Sequence, residues 1–132
     1  MLDTLRIDES LARPAPEPEN FIGRVRMQNL AAAGGTSELE LLAVFFDANA
    51  RTRPHVHPTD QVLYFLAGTG FVAFPGQPEQ LIEEGGIVIV PAGLLHMHGA
   101  TEAGPVLHLA LRAPGATDWN PSLPAEWQHY AR

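Results

Sequence analysis

The histidines of this chain are spaced in a way that suits a metal ion. The chain has six histidines, and four of them form two His-X-His pairs, His55/His57 and His96/His98. In a β-strand, residues i and i+2 point to the same face, so each pair would place two imidazoles side by side. Imidazole binds Mn, Fe, Co, Ni, Cu and Zn ions alike. The alternative is that the pairs are surface histidines or hydrogen-bonded core histidines.

A glutamine follows the first pair after one turn. The turn is predicted at Pro58-Thr59-Asp60, and Gln61 begins the next strand. On that strand Gln61 shares a face with Leu63 and Phe65, so its side chain can point inward with the first histidine pair. An amide oxygen is a neutral ligand. A set of three histidines and one glutamine would therefore leave coordination positions open for a substrate.

Short strands separated by turn residues must position these side chains. Glycine and proline are frequent, with 12 of each, and they fall between β-prone runs at nearly regular spacing. This pattern predicts an all-β sandwich or barrel. The predicted helix is short, Pro124–Tyr130 near the C-terminus. The strands are predicted at Phe21–Leu30, Glu38–Phe46, Arg51–His57, Gln61–Ala67, Phe71–Phe74, Gln80–Ile82, Ile87–Val90, Leu95–Gly99 and Val106–Arg112.

The first 20 residues differ in composition from the rest. Residues 13–19 read RPAPEPE, and this alternation of proline with other residues favours an extended, polyproline-like arm. Such an arm is either a loose leader or a strand that lies across a partner subunit. The sequence therefore predicts an arm over residues 1–20 and a single barrel domain over residues 21–132.

Composition limits the chemistry and the partners. The absence of cysteine excludes disulfides, thiolate metal sites and cysteine nucleophiles. The net charge of −7 argues against binding to nucleic acid or to an anionic membrane surface. The sequence starts without a basic leader before an apolar run, and no run approaches the roughly 20 apolar residues of a membrane span. We therefore expect a cytoplasmic protein.

The segment around the first histidine pair resembles the first motif of the cupin family. This segment reads NARTRPHVHPTDQVLYFLAGTG. His55 and His57 stand at the histidines of the motif, and Gln61 stands at its glutamate. Gly68 stands at the closing glycine, and Asn49 replaces the opening glycine. Asparagine visits positive φ more readily than other residues with a side chain, so it is tolerated there.

The segment around the second pair resembles the second cupin motif. It reads GGIVIVPAGLLHMHGA, in which Ala100 replaces the final asparagine of the motif. The matching positions are Gly85, Pro91, Gly93 and His96. The resemblance covers about residues 21–112. It implies a cupin-type double-stranded β-helix, that is, a small jelly-roll barrel.

A narrower resemblance concerns function. The stretches HVHPTDQ, HMHGATE and VLHLAL together look like a group of small single-domain bacterial cupins, which includes manganese-dependent hydroxynitrile lyases. The resemblance places His98 and His108 in the cavity as unligated acid–base or orienting groups. It implies one divalent ion per chain, Mn first and Fe, Ni, Co or Zn as alternatives, held by His55, His57, Gln61 and His96.

The glutamine changes the chemistry expected of such a site. A divalent ion held by three histidines and glutamine keeps both of its charges, whereas a glutamate would neutralise one. The ion is then a stronger Lewis acid and is less readily oxidised, which favours a lyase or isomerase acting on a small oxygenated, partly apolar substrate. His108, on the inward face of its predicted strand, suits the role of base. The alternatives are a metal-dependent dioxygenase and a non-catalytic module that binds a small molecule or a metal.

Two predicted strands, Glu38–Phe46 and Val106–Arg112, carry apolar residues on both faces. A barrel strand in a monomer needs only one apolar face, so the outer face must be covered. A second subunit packed sheet to sheet is the expected cover, which predicts a homodimer. The alternative cover is the chain's own arm or its C-terminal segment.

Overall fold

Antiparallel strands make up most of the regular structure in residues 2–132, the part of the chain that this computed structural model describes. One short α-helix, α1 (Leu30–Ala33), and three 3-10 helices (Glu9–Leu11, Pro18–Asn20 and Ala125–Tyr130) accompany the strands in that part. In chain order the strands are β1 (Arg13–Pro14), β2 (Phe21–Ile22), β3 (Val25–Asn29), β4 (Glu40–Phe46), β5 (Arg51–Thr52), β6 (Gln61–Ala67), β7 (Gly70–Ala73), β8 (Gln80–Ile82), β9 (Ile87–Val90), β10 (Met97–Ala100) and β11 (Val106–Arg112).

The strands form two sheets that share one core. One sheet has the order β1-β3-β4-β11-β6-β9 and the other the order β2-β5-β10-β7-β8. Every paired strand runs antiparallel to its neighbour. The core contains Phe46, Leu63 and Phe65 from the first sheet and Val72 and Ala100 from the second. The predicted all-β jelly roll is therefore confirmed.

Four predicted strands (β6, β8, β9 and β11) have the predicted bounds, and five differ. Three of the five are shifted by one or two residues at one or both ends, and the other two, Phe21–Leu30 and Arg51–His57, differ more. Phe21–Leu30 is divided because Gly23 adopts a φ of 80°, which sends β2 and β3 into different sheets. Arg51–His57 is a regular strand only at Arg51–Thr52, since Pro54 has no N–H to donate to a ladder. Beyond it, the pairing is reduced to isolated bridges at His55 and Val56.

Two turns of the first motif contain a residue with a positive φ angle. Asn49 adopts a φ of 65°, as expected for an asparagine at a glycine position. Gly68 adopts a φ of 80°, and a Cβ there would lie 2.2 Å from the carbonyl oxygen of Pro105. Any side chain at position 68 would therefore force β6 away from the turn before β11.

The N-terminal segment packs against the chain's own six-stranded sheet. β1 pairs with β3, and the side chain of Gln28 hydrogen-bonds the backbone of Arg6 and Asp8. Ile7 and Ala12 pack against an apolar cluster on the outer side of β4. The predicted extended arm thus has local 3-10 turns, and it covers part of the outer apolar face itself.

The C-terminal segment covers the other sheet. Trp127, in the 3-10 helix Ala125–Tyr130, packs against Phe71 of β7 and Met97 of β10. A short C-terminal helix was predicted here, and the structure confirms it as a 3-10 helix. In the described residues, no helix is both long enough and apolar enough to cross a membrane.

Candidate metal centre

Three histidine rings converge at the end of the barrel where the two motifs meet. His55 and His96 exchange backbone hydrogen bonds of 3.1 Å in both directions, which fixes the two motifs to each other. Their ring centroids lie 4.2 Å apart. The ring of His57 lies 4.8 Å from that of His55 and 5.4 Å from that of His96. Gln61, the first residue of β6, lines the same cavity as His55 and His57.

Unpaired buried atoms test whether this set fits a metal ion. His57 Nε2, Gln61 Oε1 and His96 Nε2 are all buried and have no hydrogen-bond partner within residues 2–132. Burying such atoms without a partner costs free energy, so native proteins rarely leave three of them together. A divalent cation would satisfy all three, since it takes one lone pair from each. The donor set therefore fits a divalent metal ion.

The protons on two of the histidines are fixed by backbone carbonyls. His55 Nδ1 lies 2.8 Å from the carbonyl oxygen of Arg53, and His96 Nδ1 lies 2.9 Å from that of Leu94. A carbonyl oxygen only accepts, so both rings carry their proton on Nδ1. This leaves the lone pair of each Nε2 available to an ion.

Burial keeps the three rings neutral. It lowers the pKa of His55 well below the usual histidine value, and neighbouring His96 lowers that pKa further. The pKa of His57 falls to about 3, first through burial and then through the guanidinium of Arg112. Burial also lowers the pKa of His96. At neutral pH no proton therefore competes with a metal ion for these nitrogens.

A second histidine pair adjoins this group. His108 Nε2 and His98 Nδ1 are 3.0 Å apart, and both side chains are buried. His108 points inward from β11, with the rings of Phe46 and Phe65 at 5.1 and 5.2 Å. Burial lowers the pKa of His108 to about 4, and burial followed by the proximity of His108 lowers that of His98.

His98 is also close enough to the other histidines to bind a metal ion with them. Among the described residues, one group of three histidines has ligand atoms within 4.8 Å of one another, namely His55, His96 and His98. The structure thus brings all six predicted site residues into one region. It differs from the prediction for His98, which was expected to be unligated but lies as close to His55 and His96 as a third ligand would. His129, which lies outside both motifs, is exposed in the C-terminal 3-10 helix.

A cavity of about 300 Å³ opens onto these side chains. The sequence predicts seven apolar residues for its wall, and four of them line it, namely Leu42, Val44, Phe46 and Ala110. Three other predicted lining residues belong to apolar clusters of the interior instead, namely Leu63, Phe65 and Phe71. Unpredicted residues of the wall and mouth include Pro16, Glu17, Phe21, Met27 and Trp119.

The sequence favours an exposed Arg112 over one that binds a substrate carboxylate near the cavity, whereas the structure buries it at the cavity. Its guanidinium donates to a carboxylate oxygen of Glu40 at 2.9 Å and to the hydroxyl of Thr117 at 3.2 Å. The signal was present in the sequence, because Arg112 has the same strand parity as His108 and Ala110.

Trp119 was not predicted as a site residue. Its ring stacks on His55 at 4.3 Å with an interplanar angle of 28°. It lies after β11, in a segment without regular alternation, so no periodicity could have identified it.

Comparisons with known proteins agree with this architecture. The family model described as "Cupin" matches residues 9–127. The (R)-mandelonitrile lyase of Granulicella tundricola is 35% identical over 102 residues, which cover 75% of this chain and 78% of that protein. A cupin-like protein of Thermotoga maritima has a TM-score of 0.70 at 28% identity, over 84% of this chain and 87% of its own. The polyketide cyclase RemF of Streptomyces resistomycificus is alike in fold alone, with a TM-score of 0.73 at 16% identity over 96% and 92% of the two chains. With its two motifs, its jelly roll and its histidine cluster, the chain belongs to the cupin family.

Proposed function

We propose that this cupin is a metal-dependent lyase that cleaves a carbon–carbon bond next to a hydroxyl group in a small, uncharged, partly apolar molecule. Cyanohydrin cleavage is the concrete case. The observation that carries the proposal is the close approach of a neutral metal-donor set and a buried histidine pair at one apolar cavity. The similarity to a protein named (R)-mandelonitrile lyase supports the same reaction class.

We infer that His55, His57, Gln61 and His96 hold one divalent ion, manganese in the first place. The unpaired atoms of three of these residues support this set. We assign His98 to the acid–base pair, because its Nδ1 shares a hydrogen bond with His108, the proposed base. Nitrogen and neutral oxygen donors suit manganese among several metals. The bound ion would act as a Lewis acid that stabilises negative charge on the substrate oxygen.

The histidine pair moves the proton in this proposal. His98 and His108 are both neutral at pH 7, and one of the two rings donates to the other across 3.0 Å. The pair accepts the proton of the substrate hydroxyl, the oxygen electrons form the carbonyl, and the bond to the nitrile carbon breaks. The departing cyanide takes the proton back and leaves as hydrogen cyanide. A positioned acid–base group of this kind typically contributes about 10²–10⁴-fold to a rate.

The charges of the cavity favour an uncharged substrate. Of the cavity-lining residues that the structure describes, only Arg112 carries a permanent positive charge. Its guanidinium is already bound by Glu40 and by the carbonyl oxygens of Ala113 and Gly115. Away from the proposed ion, a substrate carboxylate would therefore find no free side-chain cation, whereas the apolar wall suits a hydrocarbon group.

The experiment is a turnover assay on protein stripped of metal and then reloaded with manganese. A panel of cyanohydrins, β-keto acids and enols is offered, and carbonyl product, hydrogen cyanide, carbon dioxide and oxygen uptake are measured. We expect carbonyl compound and hydrogen cyanide in equal amounts, dependent on the metal. Oxygen consumption would instead indicate a dioxygenase. Tight binding of ligands without any product would indicate a binding module, and either result would overturn the proposal.

We infer that the protein is a homodimer that buries the outer face of the β11-β6-β9 region. Ile87 and Ile89 of β9 are 62% and 64% exposed in the single chain. Strand register places them beside Tyr64 and Val62, so they form a continuous apolar surface with the outer residues of β11. Two copies packed through this surface would remove it from water.

Light scattering on the full chain tests the dimer. We expect a dimer for the native protein and a monomer for Ile89→Glu. The control is Leu81→Glu, a change of equal exposure (63%) on β8 of the other sheet, which should stay dimeric. A native monomer, or dissociation by both variants, would contradict this surface.

A further inference from the structure

His57 differs from the other two histidine ligands in the partner of its Nδ1 atom. His55 and His96 face backbone carbonyls, which accept only. His57 Nδ1 instead lies 3.0 Å from the hydroxyl oxygen of Thr117. A hydroxyl can donate as well as accept, so it fixes the ring proton only if its own position and partners are fixed.

The hydroxyl of Thr117 is held by a side chain that is itself fixed in place. Arg112 donates to its oxygen at 3.2 Å, and the guanidinium is held in turn by Glu40 at 2.9 Å. Arg112 also donates to the carbonyl oxygens of Ala113 and Gly115, which fixes the loop that leads to Thr117.

The residues that flank Thr117 and His57 are joined as well. The N–H of Asp118 donates to the carbonyl oxygen of Val56, and the N–H of Val56 donates back, at 2.9 and 3.1 Å. The backbone beside Thr117 is thus tied to the backbone beside His57.

We propose that Thr117 is a positioning residue for His57, which accepts the Nδ1–H and so keeps the Nε2 lone pair available to the metal ion. The inference rests on the metal centre proposed above. The reverse arrangement would leave a proton on His57 Nε2, the buried and unpaired nitrogen whose lone pair the ion needs. Groups behind a ligating histidine commonly alter metal affinity by about 10–100-fold.

Loss of the Thr117 hydroxyl should weaken metal binding without disturbing the fold. Thr117 is half-buried and does not belong to the apolar clusters of the core. Removing its hydroxyl should therefore leave the metal-free fold in place while freeing the His57 ring to rotate and to exchange tautomers. Valine has nearly the shape of threonine without the hydroxyl, and serine retains the hydroxyl alone.

The test is a titration of metal-stripped protein with Mn²⁺, with free Mn²⁺ followed by electron paramagnetic resonance. We expect Thr117→Val to raise the dissociation constant at least about tenfold and Thr117→Ser to restore most of the affinity. The matched control is Thr59→Val. Thr59 is also half-buried, and its hydroxyl donates to Ala113 in the same loop but does not touch His57.

Three results would overturn the inference. The first is a Thr117→Val variant that binds Mn²⁺ as tightly as the native protein. The second is an equal loss in Thr59→Val, which would assign the effect to the loop in general. The third is a failure of serine to restore affinity although circular dichroism and thermal unfolding of the metal-free variants match the native protein. A native protein that binds no Mn²⁺ would refute the proposed metal centre as well, so the two failures are distinguishable.

Discussion

His108 Nε2 lies 3.0 Å from His98 Nδ1, inside the barrel and next to the proposed metal ligands. The two residues come from β11 in one sheet and β10 in the other, so the barrel itself brings them together. Both are buried, and both pKa values are lowered. A neutral pair of this kind can take up and return one proton at the wall of the cavity.

Replacing His108 by alanine should abolish most of the turnover without removing the metal. We expect a loss of at least about 100-fold in kcat, because the acid–base group is gone while all four proposed ligands remain. The measurement combines steady-state kinetics with metal analysis of the same sample. His129→Ala is the control, since His129 is exposed and lies outside the site. Unchanged turnover in His108→Ala would remove this residue from the mechanism.

Replacing Gln61 by glutamate should preserve metal binding and lower lyase activity. The carboxylate adds one negative charge to the site, so the bound ion becomes a weaker Lewis acid. Arg112 lies opposite Gln61 in strand register and limits the cost of the new charge. Metal content, metal preference and turnover are measured on the purified variant. A variant that is folded but holds no metal would argue against Gln61 as a ligand.

The metal-free protein should lose stability as the pH falls below about 6.5, the usual histidine value. In the unfolded chain, histidines bind protons near that pH, whereas folded His57 and His108 bind them only near 3 and 4. The unfolded state therefore holds more protons between these limits, and the free energy of unfolding decreases throughout that window. Each displaced pKa unit corresponds to about 1.4 kcal/mol.

Urea unfolding at a series of pH values tests this expectation. The free energy of unfolding should not change with pH just above pH 7 and should decrease steadily as the pH falls below 6.5. The same series with saturating manganese should show a larger loss, since protons then also compete with the metal. A flat profile for the metal-free protein between pH 7 and pH 5 would show that these histidines are not buried neutral.

Replacing Glu40 by glutamine should destabilise the fold measurably, because Arg112 would keep a buried charge without its carboxylate. The side chain of Arg112 is 5% exposed and that of Glu40 is 33% exposed, so solvent screens the ion pair only partly. We expect a loss of about 1–3 kcal/mol in the free energy of unfolding.

The control for this change is Glu79→Gln. Glu79 pairs with Arg51 at 3.0 Å but is 46% exposed, and an exposed pair typically contributes about 1 kcal/mol or less. Equal losses in the two variants would mean that the Glu40–Arg112 pair has no special role.

The strands and the candidate ligands were predictable because their signals are local. A β-prone run bounded by turn residues predicts β6, and the spacing of His55, His57, Gln61 and His96 is contained in two short motifs. The helix α1 was not predicted, because Leu30 was assigned to the end of a strand and the residues after it to a turn. In the structure Asn29 caps the helix by accepting from the N–H of Ala32.

The network behind the site was not predictable, because it depends on pairing between distant segments. Arg112 faces Glu40 across β11 and β4, and Thr117 reaches His57 from 60 positions away. Neither partner can be identified until the register of the sheet is known. A charged residue is exposed in most proteins, so Arg112 was placed on the surface.

Anomalous diffraction at the manganese edge, from crystals of the native protein loaded with manganese, tests the central claim most directly. The account predicts one peak per chain, in contact with His55, His57, Gln61 and His96 and with His98 and His108 nearby but unligated. An ion held by His55, His96 and His98 without Gln61, or no peak at this cavity, would contradict it.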